Sequence, residues 1–160
     1  MQITVLAVGH ARGSEEAALC DGYIDRASKL GRQHGIAAIC IEEVSVSKAR
    51  DAATRIREEC GRLAARLSEG AHVVALDAKG RGMTSEDFAE MLAALRDAGT
   101  RELAFVIGGP DGFGPLPGIK SGRSLAFGPQ TWPHLLVRAM LAEQIYRALT
   151  ILAGHPYHRG

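Results

Sequence analysis

Residues 123–160, RSLAFGPQTWPHLLVRAMLAEQIYRALTILAGHPYHRG, decide how this chain is read. A short apolar run (Leu125, Ala126, Phe127) enters a turn-rich hexapeptide, Gly128-Pro129-Gln130-Thr131-Trp132-Pro133. Out of that loop comes the strongest helical pattern in the sequence. Leu136, Val137, Met140, Leu141, Ile145, Leu149 and Leu152 form a wide apolar arc, and Gly154 ends it. A polar tail follows, His155-Pro156-Tyr157-His158-Arg159. Strand, stiff loop, long helix and aromatic-basic tail are the parts that a ligand loop with a catalytic extension requires. One apolar stripe is enough to pack a helix on a sheet, so the width of the arc predicts a second partner. A C2 homodimer is the simplest candidate.

Upstream, strand-like runs alternate with helical periodicities. Residues 2–8, 36–44, 72–77, 103–107 and 124–127 read as strands, the first apolar on both faces as a strand covered on both sides would be. A helix from Ser14 to about Gln33 has Leu19, Tyr23, Ala27 and Leu30 on its inner face. A second, over 52–67, buries Ile56, Cys60, Leu63, Ala64 and Leu67 and turns Arg55, Glu58, Glu59, Arg62 and Arg66 to solvent. A third, opened at Ser85 and closed by Gly99, packs through Phe88, Met91, Leu92 and Leu95. This order predicts one α/β domain over residues 1–160, a mostly parallel sheet with helices on both faces.

Composition narrows the function classes. Nineteen Lys and Arg against eighteen Asp and Glu leave a net charge of +1, too little for a protein that coats nucleic acid by bulk charge. A local patch, or two chains together, would still concentrate charge that the total hides. No apolar run approaches the roughly 18 residues of a membrane span. The N-terminus enters an alternating apolar segment with no signal-peptide pattern, so a cytoplasmic protein is expected. Cys20, Cys40 and Cys60 form no CxxC pair and read as buried free thiols. His155 and His158 have no third ligand near in sequence, and no metal site is expected.

In open α/β sheets ligands bind beyond the carboxyl ends of strands. Three such ends carry loops here, residues 77–82, 108–112 and 128–133. Residues 114–121 suggest a phosphate-binding loop, but the spacing is wrong, and Pro115 and Pro117 remove backbone N–H groups that a phosphate cradle uses. The dinucleotide fingerprint GxGxxG is absent. What remains is a pocket approached by glycine backbone at Gly108-Gly109 and Gly128, with a proline-stiffened rim at Pro129 and Pro133. On glycines alone, ordinary tight turns explain these loops equally well.

A resemblance decides between those readings. Val106-Ile-Gly-Gly-Pro-Asp-Gly112, Trp132-Pro-His-Leu-Leu-Val-Arg138, Leu141-Ala-Glu-Gln-Ile-Tyr-Arg-Ala148 and His155-Pro-Tyr-His-Arg159 resemble the ribosomal RNA large subunit methyltransferase H family. That family is a small branch of the SPOUT superfamily. Val73-Val-Ala-Leu-Asp77 and the opening strand ending at Gly9 are similar to it too, so the likeness runs end to end. The resemblance implies a deep C-terminal trefoil knot, which sequence physics would never propose. It also implies a homodimer that binds S-adenosylmethionine and methylates N3 of a pseudouridine in large-subunit (23S) ribosomal RNA, on the assembled ribosome. The implied cofactor contacts are Leu76, Gly109, Gly128, Pro129, Gln130, Thr131, Trp132 and Pro133. The implied catalytic tail is Tyr157, His158 and Arg159.

Chemistry assigns roles to those residues. Methyl transfer from a sulfonium is an in-line displacement, so most of the work is positioning. The N3–H of a uracil-type ring is a weak acid whose proton must be removed or whose anion must be stabilised. His158 has the intrinsic pKa for the first task. Arg159 or Arg138 would place positive charge beside a carbonyl oxygen for the second. Tyr157 offers a ring for stacking on an unstacked base. Arg138 has a competing reading as an intersubunit ion-pair partner of Glu143 or an aspartate. His134 reads as a first-turn helix residue outside the catalytic set. Arg12, Lys48, Arg50, Lys79, Arg81, Lys120 and Arg123, pooled over two chains, would form an RNA-facing surface. Another RNA substrate, such as tRNA, or a non-catalytic ribosome-associated role are the alternatives.

Overall fold

Alternation of period-2 and period-3.6 segments is realised as five strands and four helices, in a computed structural model that describes residues 1–116 and 123–158. In chain order these are β1 (Gln2–Val8), α1 (Glu15–Gly31), β2 (Ala38–Val44), α2 (Ala52–Ala64), β3 (His72–Arg81), α3 (Ser85–Asp97), β4 (Glu102–Ile107), β5 (Arg123–Leu125) and α4 (His134–Leu152). All the strands pair in parallel, in the order β2-β1-β4-β3-β5. Every strand therefore presents its carboxyl end to the same edge of the domain, where the post-strand loops collect.

Strand residues alternate between two cores. Ile3, Val5, Ala7, Val74, Leu76, Leu103, Phe105 and Ile107 face α1, α3 and α4. Leu6, Val8, Val73, Ala75, Ala104 and Val106 face α2, through Cys60 and Leu63. This is why the strands read as apolar on both sides, and why all six residues of β4 are buried. Phe105, fully buried and stacked on Phe88 at 5.5 Å between centroids, anchors the larger core. Truncating such a ring costs about 3–5 kcal/mol.

The helices start where their caps dictate. Ser14 Oγ accepts the Ala17 N–H at 3.0 Å, and the Asp51 carboxylate accepts the Thr54 N–H at 2.8 Å. The third helix begins at Ser85, as expected, and the residue before it supplies the cap: Thr84 and Asp87 form a reciprocal capping box. Ser85 instead donates its hydroxyl to Gln144 Oε1 at 2.9 Å, tying α3 to α4.

Three expectations change. Residues 78–81, read as loop, continue β3: Arg81 pairs with Leu125, its carbonyl accepts the Ala126 N–H at 3.1 Å, and the register shifts between Leu76 and Arg81. Leu19, read as inward-facing, is 48% exposed, because the buried stripe of α1 is Cys20, Ala27 and Gly31, one position round the helix. Glu59, read as solvated, is 2% exposed. Part of the apolar arc of α4 is used within the chain. Leu141, Ile145 and Leu149 are fully buried, and α4 packs chiefly on α1 and then on α3. Cys20 and Cys60 are buried, Cys40 is half-buried, and all three are free thiols. No helix among the described residues is long and apolar enough to cross a membrane.

Candidate active site

The tips of β4, β3 and β5 are neighbours in the sheet, and their loops enclose one cleft of about 430 Å³. Its floor and walls are largely apolar, including Leu76, Ile107, Phe113, Leu125, Phe127 and Val137. Of the eight residues expected to hold the donor, Leu76, Gly109, Gly128, Gln130, Thr131, Trp132 and Pro133 line this cleft. Pro129 is exposed and is not among the lining residues. Residues 117–121 of the phosphate-loop-like segment lie outside the described residues.

The hexapeptide closes on itself. Trp132 Nε1 donates to the Phe127 carbonyl at 3.1 Å, while its ring stays 39% exposed at the rim. Gly128 sits at φ +96°, a conformation that side chains with a Cβ rarely adopt. The loop after β4 is held from below by one face of α2. Arg55 donates to both oxygens of Asp111, at 2.6 and 2.9 Å, and the Gly114 N–H approaches Cys60 Sγ at 3.4 Å. Glu59 Oε1 accepts the Ser47 N–H at 2.8 Å. Its Oε2 is buried without a hydrogen-bond partner among the described residues, and it would lie 2.5 Å from a Cβ placed on Gly109. Only glycine clears that carboxylate without a shift of the loop.

A second cavity, larger at about 720 Å³, opens at the tips of β1 and β2. It is lined by His10, Arg12, Glu16, Asp21, Glu43 and Arg138, among others. The smaller cleft is the better candidate for a cofactor, since it combines apolar walls with close glycine backbone, whereas the larger cavity mixes charges of both signs. The first turn of α4 divides the two, with His134 lining the cleft and Leu135 and Arg138 lining the cavity.

Arg138 does not offer free charge to the cleft. It is 2% exposed, and donates to Glu43 Oε1 at 2.8 Å, to the Val8 carbonyl at 2.6 Å and to the Gly9 carbonyl at 2.9 Å. Burial pulls its pKa down, and the Glu43 carboxylate partly restores it. Partial burial alone would push the Glu43 carboxyl up. The Ala11 N–H, His10 and Arg138 outweigh that and hold it below its ordinary value. Within the chain Arg138 is thus paired with Glu43, while Glu143 bonds Arg147 and Tyr157.

The tail packs further along α4. Tyr157 Oη donates to Glu143 Oε1 at 3.1 Å, and its ring lies 4.8 Å from that of Tyr146. Burial, with Tyr23 and Glu143 beside it, pushes the phenol well above its usual pKa. His158 Nε2 meets Glu86 Oε1 at 2.8 Å. Neither Tyr157 nor His158 lines the cleft, and Arg159 lies outside the described residues. Glu143 is nine residues beyond His134, or about 14 Å along the helix axis. Arg12, Lys48, Arg50, Lys79 and Arg81 are exposed. Lys120 and the side chain of Arg123 lie outside the described residues.

Sequence reading missed Glu59 and Glu43, which carry the polar scaffolding. Glu59 flanks the Ile56-Cys60-Leu63 stripe and is one turn from Arg55, and Glu43 is a carboxylate inside an apolar strand. Both were signals of a buried charge with a partner.

Comparison with known proteins places the chain in a family. The model of a family described as "Predicted SPOUT methyltransferase" matches residues 1–158. A protein of Nitrobacter hamburgensis named ribosomal RNA large subunit methyltransferase H is 47% identical over 160 residues, covering 100% of both chains. Proteins of the same name from Bradyrhizobium diazoefficiens and Rhizobium meliloti are 46% and 45% identical over 159 residues, covering 99% of each chain. Matched along almost its whole length, with a glycine-bordered cleft at its strand tips, the chain belongs to the SPOUT methyltransferase family.

Proposed function

We propose that this chain, acting as one domain over residues 1–160, uses S-adenosylmethionine to methylate N3 of a pseudouridine in large-subunit ribosomal RNA. The substrate is the assembled ribosome in the cytoplasm, and the enzyme is a homodimer whose C-terminal segment is knotted. The observation that carries this reading is the convergence of three adjacent strand tips on one apolar cleft, in a chain full-length similar to proteins named for that RNA.

The cleft fits the donor. An adenine needs an apolar slot, which Leu76, Ile107 and Phe127 provide. Close backbone approach is possible at Gly109 and Gly128, where a Cβ would meet Glu59 and Gln130 respectively. When bound, the donor supplies an activated methyl group on a sulfonium, so no metal is called for. The α2 clamp of Arg55, Glu59 and Cys60 fixes the loop after β4, and the Trp132–Phe127 bond fixes the opposite rim. Such pre-set geometry is the main contribution an enzyme makes to an in-line displacement.

Tyr157, His158 and Arg159 are assigned to the target base, Tyr157 for stacking and the other two for handling charge. Because Tyr157 and His158 lie along α4 away from their own cleft, they serve the partner subunit's cleft across the two-fold axis. Arg138 acts as a positioning residue, binding the carbonyls that end β1. The test is methyl transfer to ribosomes from cells lacking the activity, with His158→Ala beside the wild type. One methyl on N3 of a pseudouridine per large subunit, strongly reduced by the substitution, is expected. No incorporation into pseudouridylated ribosomes would defeat the reading, and incorporation only into tRNA would reassign the substrate.

A further inference from the structure

We propose that His134 is the base that takes the N3 proton from the target pseudouridine, a role that rests on the methyltransferase reading above. Of the six histidines in the chain, it is the only one among the residues lining the cleft. It stands in the first turn of α4, on the wall between the cleft and the larger cavity. A Cβ placed on Gly9, at the end of β1, would be 3.7 Å from His134 Nε2 and 3.6 Å from Arg138 Nη2. The imidazole and the guanidinium therefore approach one point. His134 is half-buried, and among the described residues its ring makes no hydrogen bond, so a nitrogen is left for a ligand.

The surroundings keep that ring neutral. Partial burial lowers its pKa below the ordinary 6.5, and the Arg138 cation lowers it further. The first turn of a helix also disfavours a positive charge. The other groups on this face are Glu43 from β2 and His10 from the loop after β1, which are bonded to each other, with Arg138 also on Glu43. Asp77 of β3 lines the same cleft. Neutral imidazole is the form that accepts a proton, and both burial and the Arg138 cation favour it. His158, by contrast, rests on Glu86.

The step balances. The N3 lone pair forms the bond to the methyl carbon of the sulfonium donor, and the carbon–sulfur bond breaks with its electron pair left on sulfur. The N3 proton passes to the His134 imidazole, which later releases it to water. The fixed charge of Arg138 behind the imidazole promotes that release.

The experiment has four arms. Imidazole resonances of the donor-free protein, assigned with His134→Gln, are titrated by NMR, and a midpoint below 6.5 is expected for His134. Single-turnover methyl transfer to ribosomes is then followed against pH, and the acid limb of the wild type should fall at that midpoint. His134→Asn should lose the limb and run about 10²–10⁴-fold slower. Donor binding, read by calorimetry, should stay within a few-fold of wild type. Added imidazole should partly restore His134→Gly, with a rate that tracks the neutral form. A wild type without transfer defeats the functional reading itself. A transferring wild type whose acid limb departs from the His134 midpoint overturns the base assignment alone. So does a His134→Asn variant that keeps the rate or the limb. If His134→Asn fails to fold, the two wild-type curves decide.

Discussion

Gly109→Ala probes the clamp between α2 and the cleft. The added methyl would lie 2.5 Å from Glu59 Oε2 and 3.2 Å from Val8 Cγ1, where ordinary contact begins at 3.4 Å. The first overlap is therefore about 0.9 Å, and neither obstacle yields easily. Glu59 is held by the Ser47 N–H, and Val8 is 1% exposed in the core. The loop must retreat by most of that distance, towards the cleft. A displacement of about 1 Å in positioning elements costs on the order of 10²-fold in rate, and overpacking costs about 1–3 kcal/mol of stability. The assays are kcat/KM for methyl transfer and urea unfolding. Glu59→Ala removes the obstructing oxygen, so the double variant Gly109→Ala/Glu59→Ala should recover at least about tenfold over Gly109→Ala, a coupling of about 1.4 kcal/mol. If Gly109→Ala keeps wild-type affinity for the donor and wild-type rate, the clamp does not position the cleft and the reasoning fails.

Other consequences follow from the same contacts. Arg138→Met takes the charged donor from Glu43, which keeps the Ala11 N–H and His10, and from two strand-end carbonyls, and should cost about 3–5 kcal/mol in urea unfolding; a loss below about 1 kcal/mol would show that the pair is not structural. The Arg55 guanidinium holds the Asp111 carboxyl below its ordinary 3.8, so this pair stabilises the fold fully above pH 3.8 and is lost as pH falls through the lower folded value. Arg55→Ala should then be destabilised at pH 7 and converge with wild type in strong acid; a gap that is unchanged at both pH values contradicts the ion pair. Burial pushes the Cys20 thiol up to about 11, so alkylation at pH 8 should spare it in the native protein and modify it only on unfolding, as read by peptide mass spectrometry.

Much of the fold was legible because both sheet faces are covered. Double-sided burial writes unbroken apolar runs, and parallel strands with intervening amphipathic helices write a period that alternates between 2 and 3.6. What escaped depends on pairing between distant segments. Residues 78–81 look like a loop because their strand character comes from Leu125 and Ala126, more than forty residues on. The cleft was legible as three glycine-bearing strand ends, and seven of the eight residues that the resemblance implied for the donor lie along it. The polar scaffolding was not. Glu59 looks like a surface residue of α2 until Ser47 and Gly109 are folded against it. Arg138 looks like a free cation until the ends of β1 and β2 arrive beneath it.

The most direct measurement is a crystal structure of the protein with S-adenosylhomocysteine, the product of the proposed reaction. The account predicts the ligand in the cleft between Leu76, Gly109 and the 128–133 loop, with the adenine against the apolar wall and His134 facing the sulfur end. A ligand seated in the larger cavity between His10, Arg12 and Arg138, or no ligand at concentrations that support methyl transfer, would contradict it.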